Sequence, residues 1–175
     1  MNPYTFRSFG FALLINVIVF LIGASAAAYF RRWPLPTDPL DKLTLIANDR
    51  VGWTAQAVLF LVAYLATAVL SGLITANLPG GWPRWLAAGA TLLFAAGFLH
   101  WLPISVDRLR LGAQAAELIR SYDLAAPPAV MVNPGTLFWS HTYCILAALV
   151  LIGADLALAG ILPTSGRAVR RLAVA

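Results

Sequence analysis

Residues 53–78 read WTAQAVLFLVAYLATAVLSGLITANL, twenty-six positions without Asp, Glu, Lys or Arg. A helix rises ~1.5 Å per residue and the hydrocarbon core of a bilayer is ~30 Å thick, so ~20 apolar residues are enough to cross it. Strict alternation of apolar and polar residues is missing, which argues against a membrane β-barrel. The stretch therefore reads as a membrane-crossing helix at about 53–77. The same reasoning gives three more, at about 9–30, 84–103 and 142–163.

Composition points the same way. Of 175 residues, 61% are hydrophobic and 11% charged, where soluble domains carry charge at about a quarter of positions. Of the nineteen charged residues only Asp155 falls inside one of the four stretches, Arg84 standing at the very start of the third. The expected fold class is an all-α integral membrane protein, a four-transmembrane-helix bundle forming a single membrane domain over 1–175. Trp33, Trp53, Trp82, Trp85, Trp101 and Trp139 all fall at or just beyond a span end, the headgroup level that indole favours.

Arg7, an apolar run and Ala24-Ser25-Ala26 resemble a cleavable signal peptide. The run is about twenty residues long, however, and Arg31-Arg32 follow it as a stop-transfer flank, so retention as the first span is expected. In the first connection, Asp38 followed by Pro39 announces a helix N-terminus and one short helix. The segment NLPGGWPR between the second and third spans is a tight turn, making those spans an antiparallel hairpin. A loop over 104–140 carries an amphipathic extension of the third helix at about 105–122, continuing past Pro103 or restarting there. Asp107, Arg110, Gln114, Glu117 and Ser121 line one face, and Leu111, Ala115, Leu118 and Tyr122 the other. The modest, alanine-rich apolar stripe favours packing on the protein's own loops, or on a protein partner, over lipid binding.

With four spans, both termini share a side that holds Arg7, Arg84, Arg167, Arg170 and Arg171. The other side holds Arg31, Arg32, Lys42, Arg50, Arg108, Arg110 and Arg120. The positive-inside rule leans slightly toward termini outside in a cell membrane, plasma or inner, although the tail RAVRRLAVA pulls the other way. A formal charge of +5 suits anionic headgroups. The scattered arginines form no nucleic-acid footprint.

Cys144 is alone, which excludes an intramolecular disulfide, a CxxC pair and a thiolate cluster within the chain. There is no glycine-rich phosphate loop and no HExxH. His100 and His141 fall at one membrane face and, facing each other, could ligate a haem iron between Trp101 and Trp139. The plainer reading makes each an interfacial side chain beside its tryptophan, so no cofactor is expected and haem is the alternative.

Asp155 is the stronger candidate. A mid-span carboxylate costs ~2.5–3.5 kcal/mol on insertion scales, which the Leu, Ile and Val residues of the fourth span offset. Asn16, Ser71 and Thr91 fall at similar depth, ~9–12 Å inside the terminus-side face by helix rise. One polar layer of Asp155, Asn16, Ser71 and Thr91 could thus cross the bundle. It acts either as interhelical glue or as a proton, cation or substrate site, and under both readings Asp155→Leu is expected to weaken the bundle. Gly23, Ala26, Ala27, Gly89, Gly97, Gly153, Ala157 and Gly160 offer close-approach surfaces, and the bulkier second helix is expected to look outward.

One buried acid and two interfacial histidines do not assemble a nucleophile, base and oxyanion donor. The expected function is therefore a non-enzymatic multi-pass protein, an accessory or scaffold subunit in contact with the lipid bilayer and with other membrane subunits or a copy of itself. The alternatives are a small carrier or proton-coupled module centred on Asp155 and a haem redox protein using His100 and His141.

Overall fold

A computed structural model describes residues 3–32, 34–78, 80–127 and 135–158, and every regular element in them is helical. The helices are α1 (Pro3–Ala26), α2 (Ala28–Arg31), α3 (Pro39–Asn48), α4 (Arg50–Asn77), α5 (Trp82–Arg120) and α6 (Gly135–Leu158). Among them α1, α4, α5 and α6 are long and apolar enough to cross a membrane.

Helix ends are fixed by a few polar side chains. At the start of α3 the Asp38 carboxylate accepts the Asp41 amide at 3.0 Å, and Pro39 takes the first helical position, where a missing N–H leaves nothing unsatisfied. Between α1 and α2 the chain breaks at a single residue, Ala27, with φ −81° and ψ 129°. Arg31 Nη1 donates across this break to the carbonyls of Ser25 (2.8 Å) and Ala26 (3.0 Å). Asp49 closes the other side, accepting the Ala28 amide that opens α2 and the Gly52 amide in the first turn of α4. One carboxylate therefore caps two helices and pins α1 and α2 to α4. Asp49→Ala is expected to cost ~1–3 kcal/mol by stranding two amides, read as a lower thermal midpoint in detergent. Asp49→Asn should recover much of the loss, and an unchanged midpoint for the alanine variant would remove this capping role.

The α4–α5 turn uses Gly81 at φ 103°, a backbone region that side chains rarely tolerate. α5 then runs through Pro103 without interruption to Arg120. Most of the loop expected over 104–140 is thus helix, and α6 starts at Gly135 rather than near 142. A proline withholds one backbone donor, but Trp101, Ile104 and Ser105 around it are buried, and this packing holds the helix together. Beyond the proline, Ala115 is fully buried and Leu111, Leu118 and Tyr122 pack with Leu43 and Ile46 of α3. The apolar stripe of the extension is therefore covered by the protein's own first connection. Asp107, Arg110, Gln114, Glu117 and Ser121 are all exposed.

The four long helices pack in a row: α1 on α4, α4 on α5, and α5 on α6. The second long helix, expected to face outward, instead holds an inner position. Its bulk is accommodated by small residues on its neighbours: a Cβ at Gly23 of α1 would meet Leu59 and Phe60 at 3.1 Å. Gly97 and Gly89 of α5 do the same for Ile145 and Leu151 of α6, whereas Gly153 opens onto empty space and Gly160 lies outside the described residues. Large apolar side chains cover the exterior, with Phe11, Leu14, Ile15 and Leu21 of α1 more than half exposed. Trp82 (77% exposed), Trp85 (74%) and Trp139 (55%) belong to that exterior. Trp53 and Trp101 are buried, and Trp33 lies outside the described residues.

Candidate functional site

On α5 the buried residues Phe94, Gly97, Trp101, Ile104, Arg108, Gly112 and Ala115 advance by three or four positions along one stripe. Arg108 occupies a core position on that stripe and is carried inward to 3% exposure. Its guanidinium carbon lies 5.1 Å from the Trp101 ring centroid, 5.2 Å from Phe30 and 5.9 Å from Trp53. Nη1 also donates to Gln56 Oε1 at a long 3.4 Å. Desolvated cation–π pairs contribute up to ~2 kcal/mol each, so three rings make a substantial nest for this charge. Trp53 binds the same residue twice, because its indole N–H donates to the Arg108 carbonyl at 2.7 Å. That approach requires a bare backbone at residue 112, where a Cβ would sit 2.7 Å from Trp53 Cδ1. Phe30 stacks on Trp53 with centroids 6.0 Å apart, and Tyr29 meets Trp53 edge-on at 5.7 Å. In α2 the Tyr29 phenol is pushed above its ordinary range by burial, with the charge of Arg108 opposing the shift.

His141 adjoins this nest. Its Nδ1 lies 2.8 Å from the Gly97 carbonyl and must donate, so a neutral ring carries its lone pair on Nε2. The ring meets Tyr64 at 4.3 Å and Trp101 at 4.7 Å between centroids. Phe30, Gln56, Tyr64, Trp101, Arg108 and His141 together wall a cavity of about 420 Å³.

A second cavity, about 400 Å³, adjoins it, with Tyr64 and Ile145 lining both. Its walls are mostly apolar side chains of α1, α4, α5 and α6, interrupted by Asn16, Thr67, Ser71 and Asp155. Three members of the expected polar layer thus reach one cavity, and the fourth, Thr91, bonds Ser71 at 3.0 Å and Thr75 at 3.1 Å. Asn16 bonds Thr67 Oγ1 at 2.9 Å and the Ala63 carbonyl at 3.1 Å. No continuous hydrogen-bonded chain joins the layer among the described residues. Asp155 is 2% exposed, and its Oδ1 is buried without a hydrogen-bond partner among the described residues. Interhelical glue needs a partner, so the structure lends that role no bond. Asp155→Leu is accordingly expected to hold or raise the thermal midpoint in detergent, since it removes an unsatisfied polar atom. A clear fall in the midpoint would restore the glue.

His100 and His141 do not meet at a common cavity. The Nδ1 of His100 donates to Ala96 O on its own helix at 2.8 Å, and His100 lines neither cavity. Among the described residues no three His, Cys, Asp or Glu side chains group as a metal site. Sequence reasoning missed Arg108, Gln56, Tyr64 and Trp53 as site residues. The signal for Arg108 was its place three residues before Leu111, on the apolar stripe of the expected extension, in line with Trp101 seven residues back. No protein family, no curated protein and no solved structure matches this chain.

Proposed function

We propose that this chain is an integral membrane protein that takes a lipophilic ligand from the bilayer into the cleft between α1 and α6 and acts as a small carrier. The observation that carries the reading is the pair of adjoining cavities that share Tyr64 and Ile145 as wall residues. Each falls within the ~300–1,000 Å³ typical of small-molecule sites. Among the described residues α1 packs mainly on α4 and α6 on α5, and all four line the second cavity, an arrangement that would open sideways between α1 and α6. A sideways opening suits a ligand dissolved in lipid. The proposed location is a cell membrane, plasma or inner.

The test uses the full chain in mild detergent, stripped of lipid and titrated with a neutral sixteen-carbon monoacylglycerol, with adducts counted by native mass spectrometry. One adduct per chain is expected. Leu146→Trp and Leu149→Trp enlarge half-exposed positions on the two cavity walls and should each weaken uptake about tenfold, ~1.4 kcal/mol. Uptake indifferent to both variants would place the ligand elsewhere. The separation of α1 and α6 also favours a second reading, an accessory or scaffold subunit whose cleft receives a helix of a partner or a second copy. A stable oligomer in detergent that the two tryptophan variants disperse would support that reading over the carrier.

A further inference from the structure

The two ends of the cleft differ in chemistry. At one end sit a guanidinium, the amide of Gln56 and the imidazole of His141, at 3%, 2% and 4% exposure, each lining the first cavity. Beyond Tyr64 the walls are largely Leu, Ile, Val and Phe until Asp155. A molecule matching this pattern has an anionic head and an apolar chain. Depth agrees with that orientation. Trp85 is exposed near the start of α5, and Arg108 lies 23 residues further along the same helix, which is about 35 Å at ~1.5 Å per residue. With Trp85 at one bilayer boundary and a hydrocarbon core of ~30 Å, the guanidinium stands at the headgroup level of the opposite leaflet. Tyr64 is fourteen residues into α4, about 21 Å from its start and therefore deep in the hydrocarbon. The planar Arg fork is suited to two oxygens of one phosphate or carboxylate.

Building on the carrier reading, we propose that the cleft is selective for anionic amphiphiles: the phosphate or carboxylate head binds Arg108 and Gln56 beside His141, and the chain runs past Tyr64 into the second cavity. The rings of Phe30, Trp53 and Trp101 hold the guanidinium in place, so the head meets a cation already ordered and largely stripped of water. Such preorganisation raises the worth of each charge-assisted hydrogen bond. The far end offers an anionic head Asp155 in place of a guanidinium, so the reverse orientation forgoes the charge-assisted hydrogen bonds available at Arg108.

The same native mass spectrometry assay tests this with three probes: a sixteen-carbon lysophosphatidate, the lysophosphatidylcholine of the same chain, and inorganic phosphate. The lysophosphatidate should bind at least tenfold more tightly than the zwitterion, with one adduct per chain. In Arg108→Gln the ratio of the two affinities should fall to about one, and in Arg108→Lys it should be intermediate. The ratio reads the head and cancels any general loss of uptake. Should Arg108→Gln fail to fold, Gln56→Leu and the salt dependence of the wild-type ratio serve instead, and both should lower it. A wild-type ratio near one, with uptake of both lipids still blocked by Leu146→Trp, would overturn the headgroup site while leaving the carrier intact. Lipid uptake insensitive to Leu146→Trp and Leu149→Trp would overturn both. Millimolar phosphate displacing the lysophosphatidate completely would show that the free anion, not an amphiphile, is the ligand.

Discussion

Replacing Gly52 with valine is expected to leave no folded chain in detergent. A Cβ at this position would stand 2.5 Å from the Ala26 carbonyl oxygen and 2.5 and 2.6 Å from the two carboxylate oxygens of Asp49. The first obstacle is backbone, which cannot rotate away as a side chain could. The second is the group that caps α2 and α4 at once. The substitution therefore forces α1 away from α4 and dislodges a double cap, for a combined loss of at least about 3 kcal/mol. Loss of the monodisperse peak on size exclusion and of the thermal transition would be the readout. Gly153→Ala is the control, because a Cβ there meets nothing within 4 Å and helix propensity alone should stabilise it by up to ~1 kcal/mol. A normal thermal midpoint for Gly52→Ala would mean that the end of α1 does not rest on this turn.

Trp53→Ala should be almost as damaging, at ~3–5 kcal/mol. The side chain is 1% exposed, stacks on Phe30, faces the Arg108 guanidinium and donates to the Arg108 carbonyl. Its removal empties the centre of the cluster that joins α2, α3 and the extension of α5. Trp53→Phe, which keeps a ring and loses the hydrogen bond, should cost much less, ~1 kcal/mol beyond the change in packing. The partner substitution Gly112→Ala makes the argument sharper. It should be destabilising in the native chain, where the new Cβ meets the indole at 2.7 Å, and close to neutral once Trp53 is alanine. A coupling of 1 kcal/mol or more in that double-mutant cycle is the expected result, and additivity would separate the two residues.

The long helices were legible because lipid imposes a length and an apolar composition that few other environments ask for. The cap at Asp38 was legible because capping is local, decided within four residues. Asn16, Ser71 and Asp155 could be placed together from their depth along each span, since rise per residue is fixed. The centre of the first cavity was not legible in the same way. The expected extension over 105–122 already held Arg108, but counted it only among the charges at the membrane edge, where an arginine needs no explanation. With the helix continuous, the same arginine falls on the stripe of Trp101 and Ile104 and must be buried. The tryptophans show the limit from the other side. Position along the chain put all six at span ends, but whether an indole faces outward, like Trp85, or inward, like Trp53 and Trp101, depends on which neighbours share its depth. The packing order of the helices was equally hidden, because bulk on α4 predicts exposure only if the small residues on its neighbours are ignored.

The row-like packing has a consequence for biosynthesis. α1 leaves the ribosome before the other long helices, yet the long helix it packs against is α4, so it must wait as a solitary segment until α4 has been delivered to the bilayer. Between Gly10 and Gly23 its one polar side chain is Asn16, whose amide later finds Ala63 and Thr67. During that interval the asparagine is the residue through which a chaperone or insertion factor could distinguish the waiting helix from an ordinary anchor.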